Sequence, residues 1–189
     1  IVCQMYEEAG AEIPEKIAGL LCSAIISDTL LFRSPTCTAL DEKTARKLAK
    51  IAKIDPEEMA KAMFNAGSSM KGKSAEEICF QDFKQFTVSD TVFGVGQINS
   101  MNKEELAEIK AEIEGHLPQI LESHNLHMVY FMLTDILDET TELLCCGEGA
   151  KTPVIDAFDV PEAAEHVILR GVVSRKKQLI PALVSALQR

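Results

Sequence analysis

The sequence predicts an α/β fold in two parts: a helical N-terminal portion, then a complete α/β domain built on a mixed sheet. Three observations carry this reading. From Ile1 to about Met70 apolar residues recur at spacings of three and four, without strand-like alternation. Gly67-Ser68-Ser69 and Lys71-Gly72-Lys73 then interrupt the pattern with small and charged residues, as a linker does. Beyond them short apolar runs alternate with helical patterns. The expected organisation is a helical portion over 1–66, a linker over 67–73 and an α/β domain over 74–189.

In the helical portion Leu48, Ile51 and Ala52 share a helix face, and Asp41-Glu42 and Asp55-Pro56-Glu57-Glu58 mark helix starts. Asp55 offers a capping oxygen, and Pro56 loses nothing at a first helical position, where its missing N–H has no partner anyway. Amphipathic helices without strands of their own normally cover a sheet, which is expected upstream of Ile1. After the linker, Ser74 caps a short helix with Glu77 three residues on. Thr91–Asn99 reads as a strand, Lys103–Ser123 as an acidic amphipathic helix and His127–Leu137 as a buried strand. Thr141–Cys146 pairs with it as a hairpin across Asp138-Glu139-Thr140. Lys151–Phe158 is a helix, His166–Val173 a strand, and Lys176–Leu187 a last helix despite Pro181.

Composition narrows the partners. The chain has 189 residues, 47% hydrophobic, with a net charge of −10, so its overall field disfavours non-specific binding to nucleic acid or anionic lipid. Any anion site must be local. The apolar run Ile17–Phe32 is shorter than the roughly 20 residues a membrane span needs and carries Ser23, Ser27, Asp28 and Thr29. Nothing resembles a secretion signal, which suggests a cytoplasmic protein whose beginning is missing. The six cysteines are irregularly spaced and read as free thiols, and the four histidines complete no zinc pattern.

Asp28 is the only charged side chain between Lys16 and Arg33. A carboxylate in apolar surroundings has to be paired, hydrogen-bonded or bound to metal, and a local helix-end role competes with a metal role. Ser34-Pro35-Thr36-Cys37-Thr38 is a hydroxyl-rich loop, either a capped turn or a shaper of the Asp28 site. Ser174-Arg175-Lys176-Lys177-Gln178 sets three cations at a strand-to-helix junction, where they oppose the helix dipole unless an anion is held there; a solvated basic turn is the alternative. Lys84 lies between Phe83 and Phe86, on which its stem could pack. Asp135 ends an apolar strand, as a site residue or as the opener of the hairpin turn. The acidic face formed by Glu104, Glu105, Glu108, Glu112 and Glu114 reads as solvated surface.

Taken in order, Ala18-Gly19-Leu20, Ser23 to Asp28, Ser34 to Thr38, Lys84, Thr134-Asp135-Ile136-Leu137 and Gly171 to Gln178 resemble the manganese-dependent family II inorganic pyrophosphatases of the DHH phosphoesterase superfamily. The resemblance covers nearly the whole chain and implies the end of a metal-binding α/β domain, kept as a helical remnant, followed by a complete substrate-binding domain. It implies that pyrophosphate is hydrolysed by a metal-activated hydroxide, with Mn²⁺ or, alternatively, Mg²⁺ or Co²⁺, in a homodimer that binds neither nucleic acid nor membrane. It assigns Asp28 to the metal cluster and Lys84, Arg175 and Lys176 to the substrate. The family's His-x-x-x-Asp-x-Asp and Asp-His-His motifs are absent here. The fragment alone is therefore expected to lack activity and to self-associate. A related phosphoesterase acting on short polyphosphate or a nucleotide, and a non-catalytic phosphate-binding module, are the competing readings.

Overall fold

The computed structural model describes residues 1–68, 72–161 and 166–188. The chain forms two compact units, Ile1–Gly67 and Ser68–Arg189. The first consists of α1 (Val2–Glu8), α2 (Glu15–Thr29), α3 (Ala39–Ala52) and α4 (Pro56–Ser68), with no strand among its described residues. Small residues let α2 and α3 approach closely: Ala18, Cys22, Ala45 and Ala49 are buried, and the Cys22 thiol donates to the Ala45 carbonyl at 3.4 Å. Thr38 and Asp41 form a capping box at the start of α3, and the Asp55 carboxylate accepts the Glu58 N–H ahead of α4. Helix α4 continues through Gly67 and Ser68 into the stretch expected to be linker, and residues 69–71 lie outside the described residues. Leu20, Leu40 and Met5 are exposed, each by half or more, so this unit presents an apolar surface to solvent.

The second unit is a three-layer α/β/α domain. Its elements are α5 (Ala75–Phe80), β1 (Phe83–Val88), β2 (Thr91–Ser100), α6 (Lys103–Ser123), β3 (Met128–Asp135), β4 (Thr140–Cys146), α7 (Thr152–Phe158), β5 (Val167–Arg170) and α8 (Ile180–Leu187). The strands lie in sequence order. Among the described residues only β2 and β3 are parallel, joined by the crossover helix α6, and the other neighbours are antiparallel, which makes the sheet mixed. One face packs Ile98, Phe131 and Leu133 against Leu106, Ile109 and Ile113 of α6. The other packs Val95, Tyr130 and Leu143 against Val154 of α7 and Leu183 of α8.

Strand β1 was not expected from the sequence. Its apolar residues Phe83 and Phe86 are three apart and half-buried on an edge, so the alternation of a half-buried strand is missing. The path of β2 between aromatic rings requires two glycines: a Cβ on Gly94 would run into the Phe83 ring, and one on Gly96 into the Phe131 ring.

Candidate functional site

The loop between β5 and the last helix is held from below by side chains. Gly171 turns the chain with φ of 73°, and Val172 and Val173 are buried behind it. The Thr141 hydroxyl donates to the Val172 carbonyl at 2.5 Å and lies 2.9 Å from the Thr134 hydroxyl. Because Thr141 spends its proton on Val172, Thr134 is the donor in that pair, and its oxygen can accept the Gln97 amide at 3.4 Å. Gln97 also donates to the Val173 carbonyl at 3.1 Å. Gln178 closes the loop from above: its amide oxygen accepts the N–H groups of Val173 and Ser174, both at 3.0 Å, and its amide nitrogen donates to the Gly171 carbonyl at 2.6 Å.

The last helix opens not with an α-helical turn but with a π-turn over Arg175–Leu179. The Ser174 carbonyl accepts from both Gln178 and Leu179, and the Ser174 hydroxyl from Lys177 N–H. Pro181 provides a local cause, since it has no N–H to donate and its ring crowds the carbonyl four residues back, that of Lys177; widening the turn relieves both. The sequence expectation of a regular helix from Lys176 is corrected accordingly.

The three cations of the turn do not share one environment. Lys176 and Lys177 are exposed and, among the described residues, have no acidic partner. Arg175 is only 7% exposed. Its guanidinium donates to the Asp82 carboxylate at 2.7 Å, to the Asp82 carbonyl at 2.6 Å and to the Val95 carbonyl at 3.1 Å. Arg175 is thus not the unneutralised cation the sequence suggested: Asp82, 93 residues away along the chain, answers its charge, and the argument from the helix dipole applies to Lys176 and Lys177 alone. Lys84 of β1 is exposed and stands opposite Val95 in the sheet register, the residue whose carbonyl holds Arg175. Lys84 and Arg175 therefore meet the sheet at the same pair of positions. Asp82 and Gln178 are the contributors that reading the sequence for cations passed over; for Asp82 the available signal was a carboxylate two residues before Lys84.

Asp28, in the first unit, is corrected in another way. It lies in the last turn of α2, and its side chain is exposed rather than buried. The Thr36 hydroxyl donates to the Asp28 carbonyl at 3.4 Å and bonds Ser34 at 2.8 Å, so the hydroxyl-rich loop is a capped turn that touches the main chain of Asp28. Directly after Asp28 and Thr29 come three consecutive non-glycine residues in left-handed backbone, Leu30, Leu31 and Phe32, with φ of 49°, 51° and 68°. Such residues cost energy and persist only where neighbours over-determine them. Here Leu31 N–H bonds the Ile26 carbonyl, Ser34 N–H the Thr29 carbonyl and Phe32 N–H the Thr29 hydroxyl. Among the described residues no three His, Cys, Asp or Glu side chains are grouped to hold a metal ion. One exposed carboxylate supplies too few donors for a divalent cation, so the described residues around Asp28 do not by themselves make a metal centre.

Asp135 opens the hairpin turn: its Oδ1 accepts the N–H groups of Leu137 and Asp138 at 2.8 and 3.0 Å. Its other oxygen is buried without a hydrogen bond, with the Lys103 ammonium 3.9 Å away at the edge of a pocket of about 330 Å³.

Comparison with known proteins decides the family. The DHHA2 domain family matches residues 61–186. The chain belongs to the DHHA2 family. A manganese-dependent inorganic pyrophosphatase of Methanothrix thermoacetophila is 42% identical over 190 residues, taking in the whole of this chain and 61% of that protein. A cobalt-dependent inorganic pyrophosphatase of Clostridium perfringens is 47% identical over 183 residues, 97% of this chain and 33% of that protein. The crystal structure of a Methanococcus jannaschii protein, provisionally named a family II inorganic pyrophosphatase, superposes with a TM-score of 0.80 at 38% identity, over 94% of this chain and 57% of the other. The chain thus spans at most about three-fifths of the length of these relatives, and its α/β fold is shared with the Methanococcus jannaschii structure.

Proposed function

We propose that the whole protein hydrolyses inorganic pyrophosphate to two phosphates and that this chain supplies the half that grips the phosphates, through Lys84, Arg175 and Lys176. The observation that carries the reading is that Val95 is both the register partner of Lys84 and an acceptor for the Arg175 guanidinium, with the exposed Lys176 next to Arg175 at the opening of the last helix. Cations held on neighbouring backbone can answer the charge spread over the oxygens of a transferring phosphoryl group and stabilise what develops on the departing phosphate. The relatives named manganese- and cobalt-dependent support the same class of reaction. On this reading Asp28 joins donors outside this chain to hold Mn²⁺ or Co²⁺, the whole protein is a cytoplasmic homodimer, and this chain alone is inactive.

Calorimetric titration of the chain with pyrophosphate, tripolyphosphate and AMP tests the assignment. Pyrophosphate is expected to bind more tightly than AMP. Preference for AMP would point to a phosphoesterase of base-bearing substrates, and preference for tripolyphosphate to one acting on longer chains. Absence of binding to all three would remove the phosphate reading. Turnover of pyrophosphate by this chain alone with Mn²⁺, at roughly 1 s⁻¹ or faster, would overturn the expected inactivity.

A further inference from the structure

We infer that Asp82 is a positioning residue that orients the Arg175 guanidinium for a phosphate ligand; this rests on the phosphate reading above and assigns a new role within it. Asp82 holds Arg175 twice, through its carbonyl at 2.6 Å and its carboxylate at 2.7 Å. The carbonyl is itself fixed, because Gln97 N–H donates to it at 3.2 Å from β2. With Val95 accepting as well, three contacts fix the two terminal nitrogens of the guanidinium on the residue ahead of β1 and the middle of β2. The remaining N–H groups of the planar fork then have a defined direction before any anion arrives.

A carboxylate beside an anion-binding cation has two opposing effects. It fixes the guanidinium, which removes the conformational cost of ordering a long side chain on binding. It also offsets part of the positive charge that attracts the anion. Exposure decides between them: the Asp82 side chain is 51% exposed, whereas that of Arg175 is 8% exposed. A carboxylate half in water is screened, so its repulsion of an incoming phosphate is weak. The orienting contact to a buried guanidinium is short and charge-assisted, and it persists. Orientation is the larger effect.

The experiment is titration of the chain with inorganic pyrophosphate in three variants. Asp82→Ala, which removes the acceptor, is expected to weaken binding about tenfold. Asp82→Asn, which keeps an oxygen acceptor at the same place without the charge, is expected to stay within about threefold of the parent. Asp82→Glu, which keeps the charge and displaces it by one methylene, is expected to resemble Ala. The Arg175 Nε–H signal in NMR supplies a readout without ligand: sharp in the parent and in Asp82→Asn, averaged in Ala and Glu. If Ala and Asn both bind as tightly as the parent or more tightly, Asp82 is a competing counter-ion and the inference falls while the phosphate reading stands. If the parent binds no pyrophosphate, the phosphate reading falls and takes the inference with it. If Asp82→Ala does not fold, Asn and Glu carry the test against the parent: positioning predicts that Glu binds about tenfold more weakly while Asn stays close to the parent, whereas a competing counter-ion predicts that Glu binds like the parent and Asn more tightly.

Discussion

The side-chain oxygen of Gln178 lies 3.0 Å from the main-chain nitrogen of Ser174 and accepts its N–H, so the π-turn holds the loop that leads into it. Gln178→Ala would leave the N–H groups of Val173 and Ser174 and the Gly171 carbonyl without these partners. The expected cost is about 1–3 kcal/mol, read as a lower melting temperature, together with weaker pyrophosphate binding. A variant that melts with the parent would show that the loop does not depend on this clasp.

Thr141→Val keeps the shape of the side chain and removes the hydroxyl that links Thr134 to the Val172 carbonyl. Thr134 and Thr141 are both fully enclosed, so the loss is expected to be about 1–3 kcal/mol, measurable by urea unfolding. Thr134→Val should cost less, because Thr141 would keep its bond to Val172. The reverse order would contradict the direction of the hydrogen-bond chain.

Acidification should loosen the helix starts. Hydrogen bonds from the hydroxyl and N–H of Thr38 hold the Asp41 carboxyl below its usual range, and those from Ser74 do the same for Glu77. A carboxyl lowered in the folded state stabilises it above the unfolded pKa, about 4, and that contribution is lost as pH falls through the folded value. Melting temperature should therefore drop on acidification below about pH 4, with a shallower drop in Asp41→Asn and Glu77→Gln. Equal slopes in parent and variants would exclude these caps as the source.

The apolar surface of the first unit, with Leu20, Leu40 and Met5 exposed, is expected to drive self-association of the chain. Sedimentation velocity over a range of concentrations should show species larger than monomer, and Leu20→Glu should shift the distribution toward monomer. A clean monomer at millimolar concentration would contradict this expectation.

What the sequence disclosed follows from how local the signals are. Helix α6 was read with the bounds the structure gives it, because its apolar positions Leu106, Ile109, Ile113, Leu117 and Ile120 repeat at three and four. The short helix α5 was marked by its own capping box, Ser74 with Glu77. The exposure of Asp28 was not legible in the apolar run because neighbours along a helix do not share a face: Cys22, Ile26 and Thr29 point inward, while Asp28, two positions after Ile26, points outward. The Arg175 environment was hidden for the opposite reason. Its partners Asp82 and Val95 come from the turn ahead of β1 and from β2, and nothing within a short window of sequence records an approach across 93 and 80 residues. A basic run at a helix start thus proved to contain one buried, paired arginine and two exposed lysines.

The central claim, that Lys84, Arg175 and Lys176 grip pyrophosphate while Lys177 does not, is tested most directly by pyrophosphate titration of four single alanine variants. Removing a charge-assisted contact is expected to lower affinity about tenfold or more for Lys84→Ala, Arg175→Ala and Lys176→Ala. Lys177→Ala, which removes only a screened surface charge, should change it by less than about threefold. Equal losses at Lys176 and Lys177, with none at Lys84, would mean that the basic turn attracts anions only through its net charge, and would contradict the assigned site.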